Sequence, residues 1–327
     1  MNNTEMKRIV FVFLLISYGL IAYNQVIKGT VLDKETKEKI VFAAVYFDGS
    51  FVGTPSDMNG NFALDITGNA NKPLTISALG YYSVTLTDFS TGKPLVIYLT
   101  PKVFEVKEVV INAKARMKNL KMFKENFLGT SENALRCEIM NEDDITLIFE
   151  NDTLKAFAAK PIRIINRGLG YKETYYLDAF WFHTRRNAFF IKGNMVFDED
   201  LSNDKSKQEY YKINREYTYR GSRMHFFRAL WENELATEGF SLKNIGKVEI
   251  QYSNIVVQPD SLNKYFKYHG MLGVYNNQRL TTSWITFIRE YVYFDKRGYF
   301  DPFAISWDGA MAKQRVSDIL PYEYTIK

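Results

Sequence analysis

Asp198, Asp200, Ser202 and Asp204 fall at positions 1, 3, 5 and 7 of a calcium-loop template, and Glu209 falls at position 12. Oxygen donors at alternate positions can wrap a hard cation. Position 6 is Asn203 where such loops place glycine, and Lys205 at position 8 adds a positive charge. The stretch therefore reads as a solvated loop, with calcium as the alternative. Asp57 and Asn59 also supply alternate oxygens in "GTPSDMNGNFALDI", Gly53 to Ile66, but "FALDI" then turns hydrophobic and offers only Asp65. Asn59-Gly60 is instead a hairpin signal, because both residues tolerate positive φ. That register sends Phe62, Leu64 and Ile66 into a core.

Nucleophilic chemistry would need Cys137 exposed beside a base with a depressed pKa. Its context, "ALRCEIM", alternates in polarity and reads as a small buried hydrophobe. The histidines His183, His225 and His269 stand in no H-x-x-E or H-E-x-x-H spacing, so no zinc peptidase centre is encoded. Asn141 to Asp144, "NEDD", gathers acids. A two-carboxylate glycosidase needs its acids facing across a cleft, and here the run reads as a turn before a strand. No catalytic, cofactor-binding or metal-binding residue is assigned.

The elements that position these residues are mostly strands. Aromatic residues make up 16% of the 327-residue chain, with 22 Tyr and 25 Phe, a bias that suits pleated, half-buried surfaces. A compositional break lies near residue 112. Between Gln25 and Asn112 there is no Arg and no Trp, whereas Trp181, Trp231, Trp284 and Trp307 all follow. The first block, 25–112, reads as about seven short strands: "QVIKGTVLD", "IVFAAVYFDG", "FVGTPS", "NFALDI", "PLTISALGYYSVTLTD" with a kink at Gly80, "KPLVIYLTP" and "KEVVIN". Turn signals at such spacing imply an all-β sandwich.

In the second block, "RMKNLKMFKENFLG" places Leu120, Phe123 and Phe127 on one helical face and ends at Gly129, predicting a linker helix over 113–130. Residues 131–327 read as a β-rich domain. There Ser222 caps a second helix whose face carries Met224, Phe227, Leu230, Trp231 and Leu235. The aromatics of "YYLDAFWFH" and "WITFIREYVYF" suit a thick core. Exposed on a sheet, they could stack on sugars or seat a partner chain.

Residues 1–24 carry Lys7 and Arg8 before the apolar run Ile9 to Ala22, the pattern of a secretory signal peptide; a retained anchor is the alternative. One cysteine excludes an intramolecular disulfide. The net charge of +5 is spread along the chain, with no nucleic-acid footprint.

The first block resembles the carboxypeptidase regulatory-like domain, a prealbumin-like β-sandwich. The marks are the Gly29-x-Val31 opening in "IKGTVLD", the D-x-x-G-x-F turn of Asp57, Gly60 and Phe62, "ALGYYS", and "EVVI". The resemblance implies a module of the Gram-negative envelope, found among other places ahead of TonB-dependent receptor plugs. Only about 215 residues follow it here, too few for a plug and a large barrel. "FKENFLGTSENALRCEIMN", "PIRIINRGLGYKETYYLDAF" and "RVSDILPYEY" resemble the C-terminal region of exported proteins that carry this sandwich. That likeness implies architecture and location, not mechanism.

The expected protein is mainly β and exported to the periplasm or outer membrane, with a seven-stranded sandwich ahead of a β-rich domain. It is a non-enzymatic binding or assembly protein without a cofactor. Its partner would be an envelope protein or a glycan, with peripheral association at the membrane surface. A hydrolase of peptide or glycan with its site in the C-terminal domain, and a small outer-membrane barrel, are the alternatives.

Overall fold

A computed structural model describes residues 25–70, 72–89, 92–102, 112–199, 202, 204–260 and 263–326. The signal-peptide expectation and most of "KEVVIN" lie outside them. The chain is mainly β. It divides into two units: one of 1–47, 53–78 and 84–101, the other of 48–52, 79–83 and 102–327.

The first unit holds seven strands among the described residues: β1 (Val26–Asp33), β2 (Ala44–Phe47), β3 (Gly53–Pro55), β4 (Asn61–Asp65), β5 (Leu74–Ser77), β6 (Val84–Leu86) and β7 (Leu95–Leu99). They form a three-stranded sheet, β4-β1-β7, and a four-stranded sheet, β3-β2-β5-β6. Alternation decides which side is inward: Ile27, Val31, Phe62, Leu64, Ile97 and Leu99 are buried while Lys28, Asn61, Ala63 and Tyr98 are not. Gly29 lies opposite Phe62, and a Cβ there would stand 2.7 Å from the Phe62 ring and from the Leu95 carbonyl. The G-x-V opening thus makes room for the aromatic ring.

The Asp57–Gly60 turn corrects the hairpin expectation. β3 and β4 belong to different sheets, so the turn crosses between sheets rather than joining paired neighbours. Only Gly60 of the Asn-Gly pair takes positive φ, at 70°. The Asp57 carboxylate accepts the Asn59 and Asn61 N–H groups at 2.8 Å each, which commits it to the loop backbone. A Cβ on Gly60 would sit 3.0 Å from the Val31 carbonyl and 3.1 Å from Lys39 Cβ. Gly60→Val is therefore expected to destabilise the first unit by about 2 kcal/mol, combining left-handed strain with crowding. Calorimetric unfolding of the variant checks this, and an unchanged transition would contradict it.

The second unit begins its continuous run with helix α1 (Ala113–Phe127), capped by the Asn112 side chain, which accepts the Lys114 N–H at 2.9 Å. Strands β8 (Cys137–Ile139), β9 (Ile145–Glu150), β10 (Thr153–Ala158), β11 (Ile162–Asn166), β12 (Tyr171–His183) and β13 (Ala188–Glu199) form a six-stranded sheet. β12 pairs with β11 over its first half and β10 over its second, with β13 along its other edge. Asp178 sits at a bulge between Leu177 and Ala179. α1 seals one face: Phe123 packs edge-on to Phe180, and Phe127 to Tyr175, both at 4.9 Å.

Helix α2 (Lys205–Tyr219) follows, then α3 (Arg223–Glu232). Ser222 caps α3 by accepting the His225 N–H at 3.0 Å, and Asn233, left-handed at φ 60°, ends it short of Leu235. A second core gathers Phe226, Phe227 and Leu230 against the remaining strands. These are β14 (Phe240–Asn244), β15 (Val256–Val257), β16 (Lys264–Phe266), β17 (Met271–Asn276), β18 (Thr281–Phe287), β19 (Val292–Phe294) and β20 (Ile305–Gly309). They form two sheets, β14-β17-β18-β20 and β15-β16-β19. The C-terminal segment ties both cores, with Met311 in the second and Val316 and Leu320 in the first. Arg228 holds it by donating to the Tyr322 and Tyr324 carbonyls. The described strands form open sheets, which corrects the small-barrel alternative: a barrel needs its strands closed in one ring.

Candidate functional site

The described residues of the calcium template are divided between a strand and a helix. Asp200 and Asn203 lie outside the described residues. Asp198 belongs to β13, Asp204 is the N-cap of α2 and accepts the Ser206 N–H at 2.9 Å, and Glu209 is on the helix. Among the described residues no three His, Cys, Asp or Glu side chains converge as a metal site.

The nucleophile and base candidates are committed to packing. Burial pushes the Cys137 thiol up, and the Glu173 and Asp318 carboxyls push it further. His225 accepts the Gly221 N–H at Nδ1 (3.0 Å), so its Nε2–H donates to Glu238 (2.8 Å). Burial holds the His225 pKa below its ordinary value, with Glu238 opposing. His183 accepts the Arg186 N–H at 3.4 Å, and His269 is exposed. The "NEDD" acids hold a sheet corner: Asp144 pairs with Lys160 at 2.7 Å, Glu142 with Lys124. The Lys160 hydrogen bond, followed by that from Asn141, pulls the Asp144 carboxyl down.

Sequence reasoning missed a buried polar cluster at the β8-β11-β12 end of the sheet. Asn166, fully buried, donates from Nδ2 to Glu173 Oε1 (2.9 Å) and the Ser317 carbonyl (3.0 Å). Its Oδ1 accepts the Gly168 and Leu169 N–H groups. Asp318 accepts from Ser131 and Asn133, and Asn133 donates to Thr218 as well. Glu173 Oε2 has no hydrogen-bond partner among the described residues, and burial raises the Glu173 pKa to about 8. The readable signal was position: Asn166 and Glu173 share the inward alternation of Ile164, Tyr171 and Tyr175. The closed environment makes this cluster an anchor for the C-terminal segment rather than a substrate site.

The opposite face of the same sheet carries the accessible chemistry. Trp181 of β12 lies in register with Phe190 of β13 on one side and Lys155 of β10 on the other. The two rings are nearly parallel, 14° apart in plane and 6.1 Å between centroids. Phe303 adds a third ring 6.0 Å from Phe190, with Lys192 Nζ 5.8 Å above it. Trp181 and Phe303 are each 38% exposed, which decides that this row is surface and not core. Phe180 and Phe182, alternating with Trp181, point into the core. Sequence periodicity gave both faces as aromatic; only the α1 packing tells which is covered.

A comparison with curated proteins finds no match to the chain. Residues 27–111 match the model of the CarboxypepD_reg-like domain, the block whose described strands make the two-sheet unit with Gly29 beneath Phe62 and Gly60 at its left-handed turn, so the chain carries a CarboxypepD_reg-like domain at its N-terminal end.

Proposed function

We propose that this chain is an exported, non-enzymatic binding protein of the bacterial cell envelope, with its binding face on the second unit. The observation that carries the reading is the exposed Trp181–Phe190–Phe303 row flanked by lysines. Amphipathic aromatics concentrate binding energy where they are left on a surface. The basic, then apolar pattern of residues 7–22 and the CarboxypepD_reg-like domain support export to the envelope. The structural commitments of Cys137 and His225 support a binding role over a hydrolytic one.

Tagged full-length protein expressed in a Gram-negative host is the test. Export with a shortened N-terminus, and capture of an envelope component that weakens in Trp181→Ala, are expected. Recovery in the cytoplasm with residues 1–24 intact would overturn the export claim. Equal capture by wild type and Trp181→Ala would overturn the face.

A further inference from the structure

We infer that the occupant of this face is an acidic carbohydrate chain, its sugar rings resting on Trp181 and Phe190 and its acid groups meeting Lys155 and Lys192. The inference rests on the binding-face reading above and names its ligand class. Lys155 and Lys192 are exposed, and neither has a carboxylate partner among the described residues. In the turns of this sheet Arg185 meets Asp152 at 2.9 Å and Lys160 meets Asp144 at 2.7 Å. Two ammonium groups without a carboxylate partner among the described residues flank this ring row, a complement for negative charge.

The mixture of groups selects the ligand class. A pyranose offers apolar C–H faces and polar edges within a few ångströms, matching rings on two neighbouring strands about 4.8 Å apart with ammonium groups beside them. A lipid surface asks for a wider apolar patch than a row interrupted by lysines. A strand-adding peptide would pair with the backbone edge of β13, whereas the rings and ammonium groups stand on the sheet face.

Affinity electrophoresis of the full chain through gels containing polygalacturonate, or dextran as the neutral polymer, tests the inference. Retardation by polygalacturonate and not by dextran is expected. Trp181→Ala should weaken it about tenfold, the worth of one ring contact. Replacing both lysines (Lys155→Gln with Lys192→Gln) should weaken it by a similar factor and flatten its salt dependence. Phe190→Ala gives an independent variant, and circular dichroism checks that each is folded. Equal retardation by both polymers would overturn the acidic assignment. Retardation by polygalacturonate that ignores Trp181→Ala and Phe190→Ala would reduce it to diffuse attraction of a basic protein and overturn it. Loss of polysaccharide binding alongside Trp181-dependent capture of an envelope protein would overturn the carbohydrate and leave the face standing. Failure of both captures would remove the face as well.

Discussion

Asn166→Ala is expected to destabilise the second unit by about 3–5 kcal/mol. Asn166 uses its whole amide. Nδ2 reaches Glu173 and the Ser317 carbonyl, and Oδ1 receives two backbone N–H groups from the tight Gly168–Leu169 turn. Truncation strands four buried polar partners. Each costs about 1–3 kcal/mol when it cannot reach water, and relaxation recovers part of that sum. The loss also detaches the Ser317 carbonyl from the β11–β12 end of the sheet, while its N–H and hydroxyl keep the Leu128 carbonyl and its hydroxyl keeps the Ser131 hydroxyl. All four tryptophans lie beyond residue 112, so guanidinium unfolding followed by tryptophan fluorescence reports on this unit. A midpoint shift worth under 1 kcal/mol would contradict the hub role.

The sandwich was legible because its signals are local. Alternation in "QVIKGTVLD", "NFALDI" and "KPLVIYLTP" matches β1, β4 and β7, and Phe62, Leu64 and Ile66 are buried as their register requires. Which sheet each strand joins was not legible. Asn59-Gly60 reads as a hairpin turn whether or not its flanking strands pair, and here they do not. The second strand also came out shorter than its apolar run. "IVFAAVYF" forms β2 only from Ala44, because Phe42 turns to φ 55° and its N–H bonds to the Ser56 carbonyl.

Helix α2 was invisible to periodicity for a physical reason. Tyr210, Ile213 and Tyr217 lie exposed, and Thr218 and Tyr219 at its end are its buried residues, so no apolar stripe marks it. Its cap, Asp204, stands in a stretch that reads as a solvated loop, with no apolar stripe after it to announce a helix. For the site, the aromatic row was legible in kind and not in position. Period 2 says that Trp181 opposes Phe180 and Phe182; only long-range packing of α1 against Phe180 says which side is covered. The buried cluster was legible only as an exception, two polar side chains at inward places in "RIINRGLGYKE".

That exception gives a pH dependence with a definite sign. Burial, with Asp318 adding repulsion and Asn166 opposing, lifts the Glu173 pKa from 4.5 to about 8 in the folded protein. The fold therefore holds the proton more tightly than the unfolded chain does. The associated stability is complete below pH 4.5, falls as pH rises, and is lost by about pH 8. At pH 7 the loss is on the order of 3 kcal/mol. Asp318, raised by burial, and Asp48, raised to about 6 by burial, contribute slopes of the same sign. Glu173→Gln keeps the shape and an acceptor for Asn166 but cannot ionise. The variant should match the wild type near pH 5 and exceed it above pH 7 by about 2–3 kcal/mol, the slope that both share cancelling in the difference. Urea unfolding at pH 5, 6, 7 and 8 measures the two curves. If they run parallel, Glu173 is not the group whose ionisation strains this end of the sheet. If they diverge upward with pH, the inward carboxyl beside Asn166 is a neutral acid under ordinary conditions, held there by the same closed packing that anchors Ser317 and Asp318.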